Sequence, residues 1–347
     1  MNTILRTGGV AWLLIVLPTP FAWGEDAQPT PSRLKKNLPT EPLAKKLSLA
    51  NGIAELDDRA VAWTRQHNCG SCHTTYPYLV ARAFLKEPKT PAEDEVRKFF
   101  EKRAGHWDTD KPRWDAEVVA TAATLAIHDA NTTGKLHPLT RTALDRMWTL
   151  QRADGAWNWL KLGWPPLEYD DYYGAVYAAL GVGHAPDDYA QSEKAKVGLA
   201  KLRGYFRATP PPDLHHRAML LWASLRLDGL MTPAQQKESV QQLLSIQRPD
   251  GGWRLASLGK FRRHDDTPND PQGPSDGYAT GLIVFVLRQA GVPSADARLQ
   301  RGLTWLRDNQ RESGRWFTRS LSDDHHHYIA DAGTAYAVMA LKVCEEK

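Results

Sequence analysis

An all-α fold built from repeated helical hairpins is what this sequence predicts, on three observations. Most of twelve stretches place apolar residues three and four positions apart, the period of one helix face. No strand-like alternation persists anywhere in the chain. A Gln-x-x-x-Gly-x-Trp pattern returns three times, at Gln151–Trp157, Gln247–Trp253 and Gln310–Trp316.

In chain order, Met1 to Gly24 reads as a secretory signal. Arg6 supplies the positive flank, Val10 to Pro18 is mostly apolar, and Ala22 and Gly24 are the small residues of a cleavage site. The apolar run is short for a membrane span, so no stable span is expected in the mature chain, although a retained anchor is the other reading. Residues 25–48, rich in Pro, Lys and Ser, read as a flexible leader. Residues 49–347 then form a single domain. The formal charge is +4, and losing Arg6 with the signal lowers it by one. Lys and Arg are scattered rather than gathered beside aromatics, which argues against nucleic acid as a partner.

Cys69-Gly-Ser-Cys72-His73 comes directly after the first helical stretch. This Cys-x-x-Cys-His spacing is the attachment signature of one covalent c-type haem. Cys69 and Cys72 would hold the porphyrin, and His73 would meet the iron from one face. A zinc site would need two further soft or imidazole ligands, and Cys344 is the only other cysteine. A redox dithiol would call for a βαβ setting, and none surrounds the motif. Haem attachment and export agree with each other: in bacteria such haems are attached outside the cytoplasmic membrane. The expected location is therefore the periplasm, with the cytochrome c maturation machinery and an electron donor or acceptor protein as partners.

Each of the three Gln-to-Trp segments comes after a helix-like stretch: 139–150, 233–246 and 295–309. In each, glycine permits a tight turn, Gln can bridge the helix end to that turn, and Trp can cover the junction. The pattern resembles the signature of the squalene–hopene cyclase and protein prenyltransferase α/α toroids. That resemblance implies about six helical hairpins closing into one barrel. Gln66, Gly70 and Cys72 lie in the same register, which puts the haem motif inside the first repeat of the toroid. The other expected helices are 54–66, 77–85, 93–102, 114–129, 169–180, 192–206, 214–226, 275–289 and 326–342. Small residues in a row, as in Thr121–Thr124 and Gly174–Ala179, suit close packing in an inner ring.

In such a toroid the starts of the inner helices surround one mouth of the central cavity. The corresponding stretches here are polar and aromatic: Trp114-Asp115, Tyr169–Tyr173, His215-His216, Ser275–Tyr278 and Asp323–Tyr328. From them Asp170, Asp171, His215 and His326 are the candidates for moving protons; the plainer reading of each Asp is a helix cap. The sixth iron position could be filled by His215, His216, His325, His326, His327 or Met219, or by water. The resemblance does not carry the family's chemistry. The cyclases' Asp-x-Asp-Asp segment is missing, with only Asp170-Asp171, Asp265-Asp266 and Asp323-Asp324 in its place. No Asp, Cys and His set matches the prenyltransferase zinc. The function expected is a haem-dependent oxidoreductase holding a small apolar or aromatic substrate in the toroid cavity. The alternatives are an electron-transfer cytochrome and a haem-based sensor or binding protein.

Overall fold

The computed structural model describes Leu34 and residues 36–345, all within one compact unit. The expected signal, Met1 to Gly24, lies outside the described residues. Twelve α-helices are found among the described residues. They are α1 (Leu49–His67), α2 (Thr75–Leu85), α3 (Pro91–His106), α4 (Asp115–Thr132), α5 (Pro138–Thr149) and α6 (Asp171–His184). The second half holds α7 (Glu193–Ala208), α8 (Leu214–Ser224), α9 (Pro233–Ser245), α10 (Gly277–Gln289), α11 (Ala297–Asp308) and α12 (Ile329–Glu345). Two isolated bridges, Leu43 with Arg311 and Trp164 with Glu168, are the β pairing seen among these residues. No helix of the described chain is long and apolar enough to cross a membrane.

The helices alternate between two rings. α2, α4, α6, α8, α10 and α12 pack in sequence, and α12 returns to α2 to close the inner ring. The odd-numbered helices lie outside, α1, α3, α5 and α7 in succession, with α9 against α8 and α11 against α10. These paired hairpins are those of an α/α toroid. Local chemistry sets the two classes apart. Outer helices are amphipathic and firmly started: Thr90, His137 and Thr232 cap α3, α5 and α9, each with proline in the first turn. Inner helices are buried on nearly every side, as in α6, where small residues let backbones approach. A Cβ on Gly181 would stand 2.4 Å from Ala123 Cα, so α4 and α6 meet at that glycine.

The three repeat loops share one set of hydrogen bonds. Gln151 Nε2 donates to Gly155 O and Gly198 O, each at 2.9 Å. Gln247 donates to Gly251 O and Arg298 O, each at 2.7 Å. Gln310 donates to Gly314 O and Ser48 O, each at 2.8 Å. Each Gln thus ties its own turn to a neighbouring outer helix: the second turn of α7, the start of α11 and, across the closure of the ring, the start of α1. Trp157, Trp253 and Trp316 donate their indole N–H to Met147, Leu243 and Leu306, satisfying carbonyls in the last turn of the preceding helix. The turns need positive φ, and Gly155, Gly251 and Gly314 have φ of 96°, 91° and 100°.

Several boundaries differ from the sequence expectation, and two of the shifted starts have a plain local reason. α1 begins at Leu49 rather than 54, because the Ser48 hydroxyl accepts from Asn51 N and starts the helix there. α12 begins at Ile329 rather than 326, because the Asp323 carboxylate accepts from the N–H groups of His325 and His326 and holds them in a turn. Residues 37–44, within the expected leader, lie along the loop after α11. Ala44 N donates to Gln310 O, Glu312 N to Pro42 O, and Ser313 N to a Glu41 carboxylate oxygen.

The axis of the inner ring is packed with side chains. Tyr173, Tyr177, Met219, Trp222, Tyr278 and Tyr336 are all buried. The hollow left among Tyr76, Tyr173, Tyr177, Trp222 and Tyr336 has a volume of about 10 Å³, room for roughly one water molecule. Larger space opens at the mouth, beside the start of α2.

Candidate functional site at the toroid mouth

The Cys-x-x-Cys-His segment forms the turn between α1 and α2. α1 ends at Asn68, a residue in the left-handed region with φ of 46°. Ser71 organises the turn into α2: its N–H donates to Thr75 Oγ1 at 2.8 Å, and its hydroxyl accepts from the N–H groups of His73 and Thr74. Gln66 is exposed and makes none of the bonds of the three repeat glutamines, so Gln66–Cys72 keeps the register of the pattern without its geometry. The reason is local, because α1 runs on through Gln66 to His67, whereas α5, α9 and α11 each end two residues before their Gln.

Cys69, Cys72 and His73 line one cavity of about 280 Å³. Its walls come from Trp63 of α1, Tyr76 of α2, Trp114 and Glu117 at the start of α4, the 160–168 loop, and Tyr328 before α12. Cys69 is half-buried and Cys72 buried, and both are free thiols. Burial, together with the neighbouring Glu168 carboxyl, pushes the Cys72 thiol well above its ordinary value. Burial also lowers His73 to about 4, so its imidazole is neutral at physiological pH. Its Nδ1 stands 3.5 Å from Glu168 Oε1. Burial raises Glu168 to about 7. The contact is therefore a close approach of a neutral ring and a carboxyl, not a charged pair, and the hydrogen bond of Glu168 is with the Cys72 thiol. The 162–168 turn holds Glu168 in place through Leu162 N to Glu168 O and Glu168 N to Trp164 O.

The cavity's outer rim is apolar. Trp114, Leu162 and Tyr328 are 50%, 51% and 40% exposed, and these three are among the few large hydrophobic side chains facing solvent. Apolar surface gathered around a cleft marks a place where something flat or apolar is bound. The donor set is compatible with a covalent haem. Two thiols and an uncharged imidazole share one cleft, and the imidazole's Nδ1 faces a carboxyl, as the outer nitrogen of an iron ligand commonly does. No described residue hydrogen-bonds its Nε2.

The other candidates do not line this cavity. Asp170 caps α6, accepting from Tyr173 N, and also meets His216 Nε2 at 3.1 Å. Asp171 accepts from Arg152 Nη1 at 2.7 Å, Lys161 Nζ at 3.1 Å and Trp159 N at 3.0 Å, which makes it an anchor for the loop before α6. His215 is fully buried beside the axis, with Nε2 2.9 Å from Tyr278 Oη. His326 lies nearer, its ring 5.7 Å from Trp164 and stacked on Tyr328, both of which belong to the cavity wall. Of the residues considered for the sixth iron position, His215, His216, Met219, His325, His326 and His327 are all absent from the lining. Among the described residues His73 is the one imidazole in it, and no methionine joins it.

Sequence reasoning missed Glu168 and Trp164. A lone carboxyl in a loop carries no motif, and its pairing with His73 depends on the ring bringing α2 beside the loop before α6. The signal available was the loop itself, Trp159 to Glu168, which inserts two Trp and three Leu between a repeat turn and an inner helix.

No protein-family model matches this chain, and no curated protein matches it. Solved structures with the same fold do. An ent-copalyl diphosphate synthase from Streptomyces platensis is 14% identical, with a TM-score of 0.52 over 79% of this chain and 50% of that one. The chain thus spans about half the length of that synthase. An inactive variant of an α-1,6-mannanase from Salegentibacter sp. HEL1_6 is 10% identical, with a TM-score of 0.54 over 86% of this chain and 99% of that one. A polysaccharide lyase is 10% identical, with a TM-score of 0.52 over 86% and 97%. At such identities the likeness is one of fold alone, an all-α toroid.

Proposed function

We propose that this is an exported monohaem c-type protein that carries out redox chemistry at the toroid mouth, in the periplasm. The observation that carries the reading is the convergence of Cys69, Cys72 and His73 on one apolar-rimmed cavity, with Glu168 behind the imidazole. Cys69 and Cys72 would hold the porphyrin by thioether bonds, and His73 would offer Nε2 to the iron. Glu168 would fix the ring orientation from Nδ1. Trp63, Trp114, Trp164 and Tyr328 would cover the flat apolar faces. The haem itself would supply one-electron redox chemistry at iron.

The lining also bears on which class of haem protein this is. Among the described residues the cavity wall offers His73 as its one imidazole and no thioether, so a haem held there would draw a single protein ligand from this lining. That supports haem-dependent catalysis over electron transfer between two fixed protein ligands. The small apolar or aromatic substrate would share the mouth cavity rather than the packed axis. Electrons would come from or go to a partner protein. The exposed rim of Trp114, Leu162 and Tyr328 is the observation that favours the electron-transfer reading, since it would place a porphyrin edge near solvent.

The test is production with an active cytochrome c maturation system. The denatured protein should gain the mass of one haem, and a Cys69→Ala/Cys72→Ala variant should not. Absence of covalent haem from the wild type would overturn the reading. High-spin ferric iron that binds carbon monoxide on reduction is expected, whereas low-spin iron inert to carbon monoxide would move the assignment to electron transfer.

A further inference from the structure

We propose a divalent-metal site of the zinc class at the start of α8, formed by Asp213, His215 and His216 and separate from the Cys69–His73 cavity. One ligand atom from each of the three residues lies within 4.8 Å of the other two. Both histidines are 0% exposed. Consecutive helical residues normally point in different directions. Here the two rings stand perpendicular with centroids 5.5 Å apart, and both lie beside the Asp213 carboxylate that caps the helix.

The surroundings are those of ligands held from behind. His215 Nε2 is engaged by Tyr278 Oη at 2.9 Å, and His216 Nε2 by Asp170 Oδ1 at 3.1 Å. Metal-bound imidazoles are commonly oriented in this way, one nitrogen on a carboxylate or hydroxyl and the other on the ion. Of the two Nδ1 atoms, only that of His215 is left without a partner, and it is buried. That of His216 is 2.7 Å from Asp213 Oδ1. A buried nitrogen without a partner is costly, so it asks for an explanation. A metal ion would satisfy it and bring a dication beside two carboxylates, Asp170 and Asp213.

Two imidazoles and one carboxylate are a zinc donor set that leaves a fourth position for water. Access is from the surface, because Asp170 and Asp213 also line a groove of about 1000 Å³ with Tyr169, Lys260 and Phe261. That groove shares no lining residue with the Cys69–His73 cavity.

The experiment is equilibrium dialysis of the full purified protein against Zn²⁺, with elemental analysis and titration calorimetry. One zinc per chain is expected to be retained. His216→Ala and Asp213→Asn should each weaken binding by about tenfold or more, while a His325→Ala/His326→Ala variant, which removes the exposed histidine run, should keep it. Zinc-edge X-ray absorption of the wild type supplies a readout that does not depend on a variant folding, and it should show two imidazoles at about 2.0 Å. The proposal is overturned if wild type retains no zinc, if His216→Ala and Asp213→Asn bind as wild type does, if the His325/His326 variant loses the metal instead, or if the absorption spectrum lacks imidazole.

Discussion

His73 Nδ1 and Glu168 Oε1 stand 3.5 Å apart at the mouth of the ring, one at the start of an inner helix and the other in the loop before a different inner helix. Burial keeps the imidazole neutral and lifts the carboxyl toward neutrality, so the two meet as a close contact and not as an ion pair. A carboxylate on the outer nitrogen makes an imidazole a stronger donor to iron and favours the more highly charged oxidation state.

Glu168→Gln keeps the shape and removes the group's ability to ionise. In the haem-loaded protein it should raise the midpoint potential by on the order of 50 mV, the one-electron equivalent of losing about 1 kcal/mol of charge-assisted hydrogen bonding. Redox titration of wild type and variant checks this. An unchanged potential with an unchanged haem content would mean that Glu168 does not act on the iron ligand.

Gly70, between the two cysteines, is where the turn meets α2. A Cβ there would fall 2.2 Å from the Tyr76 hydroxyl, and that ring cannot move away easily because it is stacked on Phe100 at 4.8 Å. Gly70→Ala should therefore destabilise the protein by about 1–3 kcal/mol, the usual cost of overpacking, and should lower haem incorporation. Gly204→Ala, where the nearest atom to an added Cβ is 4.0 Å away, is the control and should be close to neutral. Chemical denaturation of both variants tests the contrast.

The helices and their order were legible because each outer helix carries a proline, serine, threonine or aspartate start and an amphipathic period, and because the inner ones are strings of small and apolar residues. The repeat turns were legible for a similar reason. Gln, Gly and Trp each have a distinct job within seven residues, and the hydrogen bonds of Gln151, Gln247 and Gln310 are the ones that spacing permits. Gln66 shows the limit, since the same spacing there is overruled by α1, which runs on past Gln66 to His67. The mouth of the ring was harder to read. Asp171 looks like a rim carboxylate in sequence, but Arg152 and Lys161 turn it into a loop anchor. Which polar residues at the six inner starts face one cavity depends on the rotation of each helix, and a one-residue change in register would exchange Asp170 for Asp171.

His184, at the end of α6, gives a pH dependence with a definite sign. Burial lowers it to about 4, only partly opposed by its Nδ1 hydrogen bond to Leu180 O at 2.8 Å. The unfolded chain takes up this proton near pH 6.5, while the folded chain resists it until about pH 4. Its contribution to stability is therefore intact above about pH 6.5 and is lost as pH falls toward 4, by up to about 3 kcal/mol. His184→Leu removes the titration. The stability difference between wild type and His184→Leu, measured by denaturant melts from pH 7 to pH 4, should shift against the wild type. A difference that stays constant over that range would rule the effect out.

Ring closure provides the sharpest stability test. Gln310 is 1% exposed, and its side chain makes three bonds across the junction of the last and first outer helices: it donates to Ser48 O and Gly314 O and accepts from Ser48 N at 2.7 Å. Gln310→Ala would leave all three backbone groups without this partner, at about 1 kcal/mol or more each. Gln151 makes two such bonds in a less buried setting, so Gln151→Ala should cost less. Gly314→Ala attacks the same junction by another route. It forces φ of 100° on a residue with a side chain and brings its Cβ 2.3 Å from Asn51 O, so the first turn of α1 must move. The expected order of destabilisation is Gly314→Ala, then Gln310→Ala, then Gln151→Ala. Hydrogen exchange should show the first two loosening α1 ahead of the rest of the ring. Equal effects at Gln310 and Gln151, with α1 protected as in wild type, would show that the closure carries no more weight than any other junction.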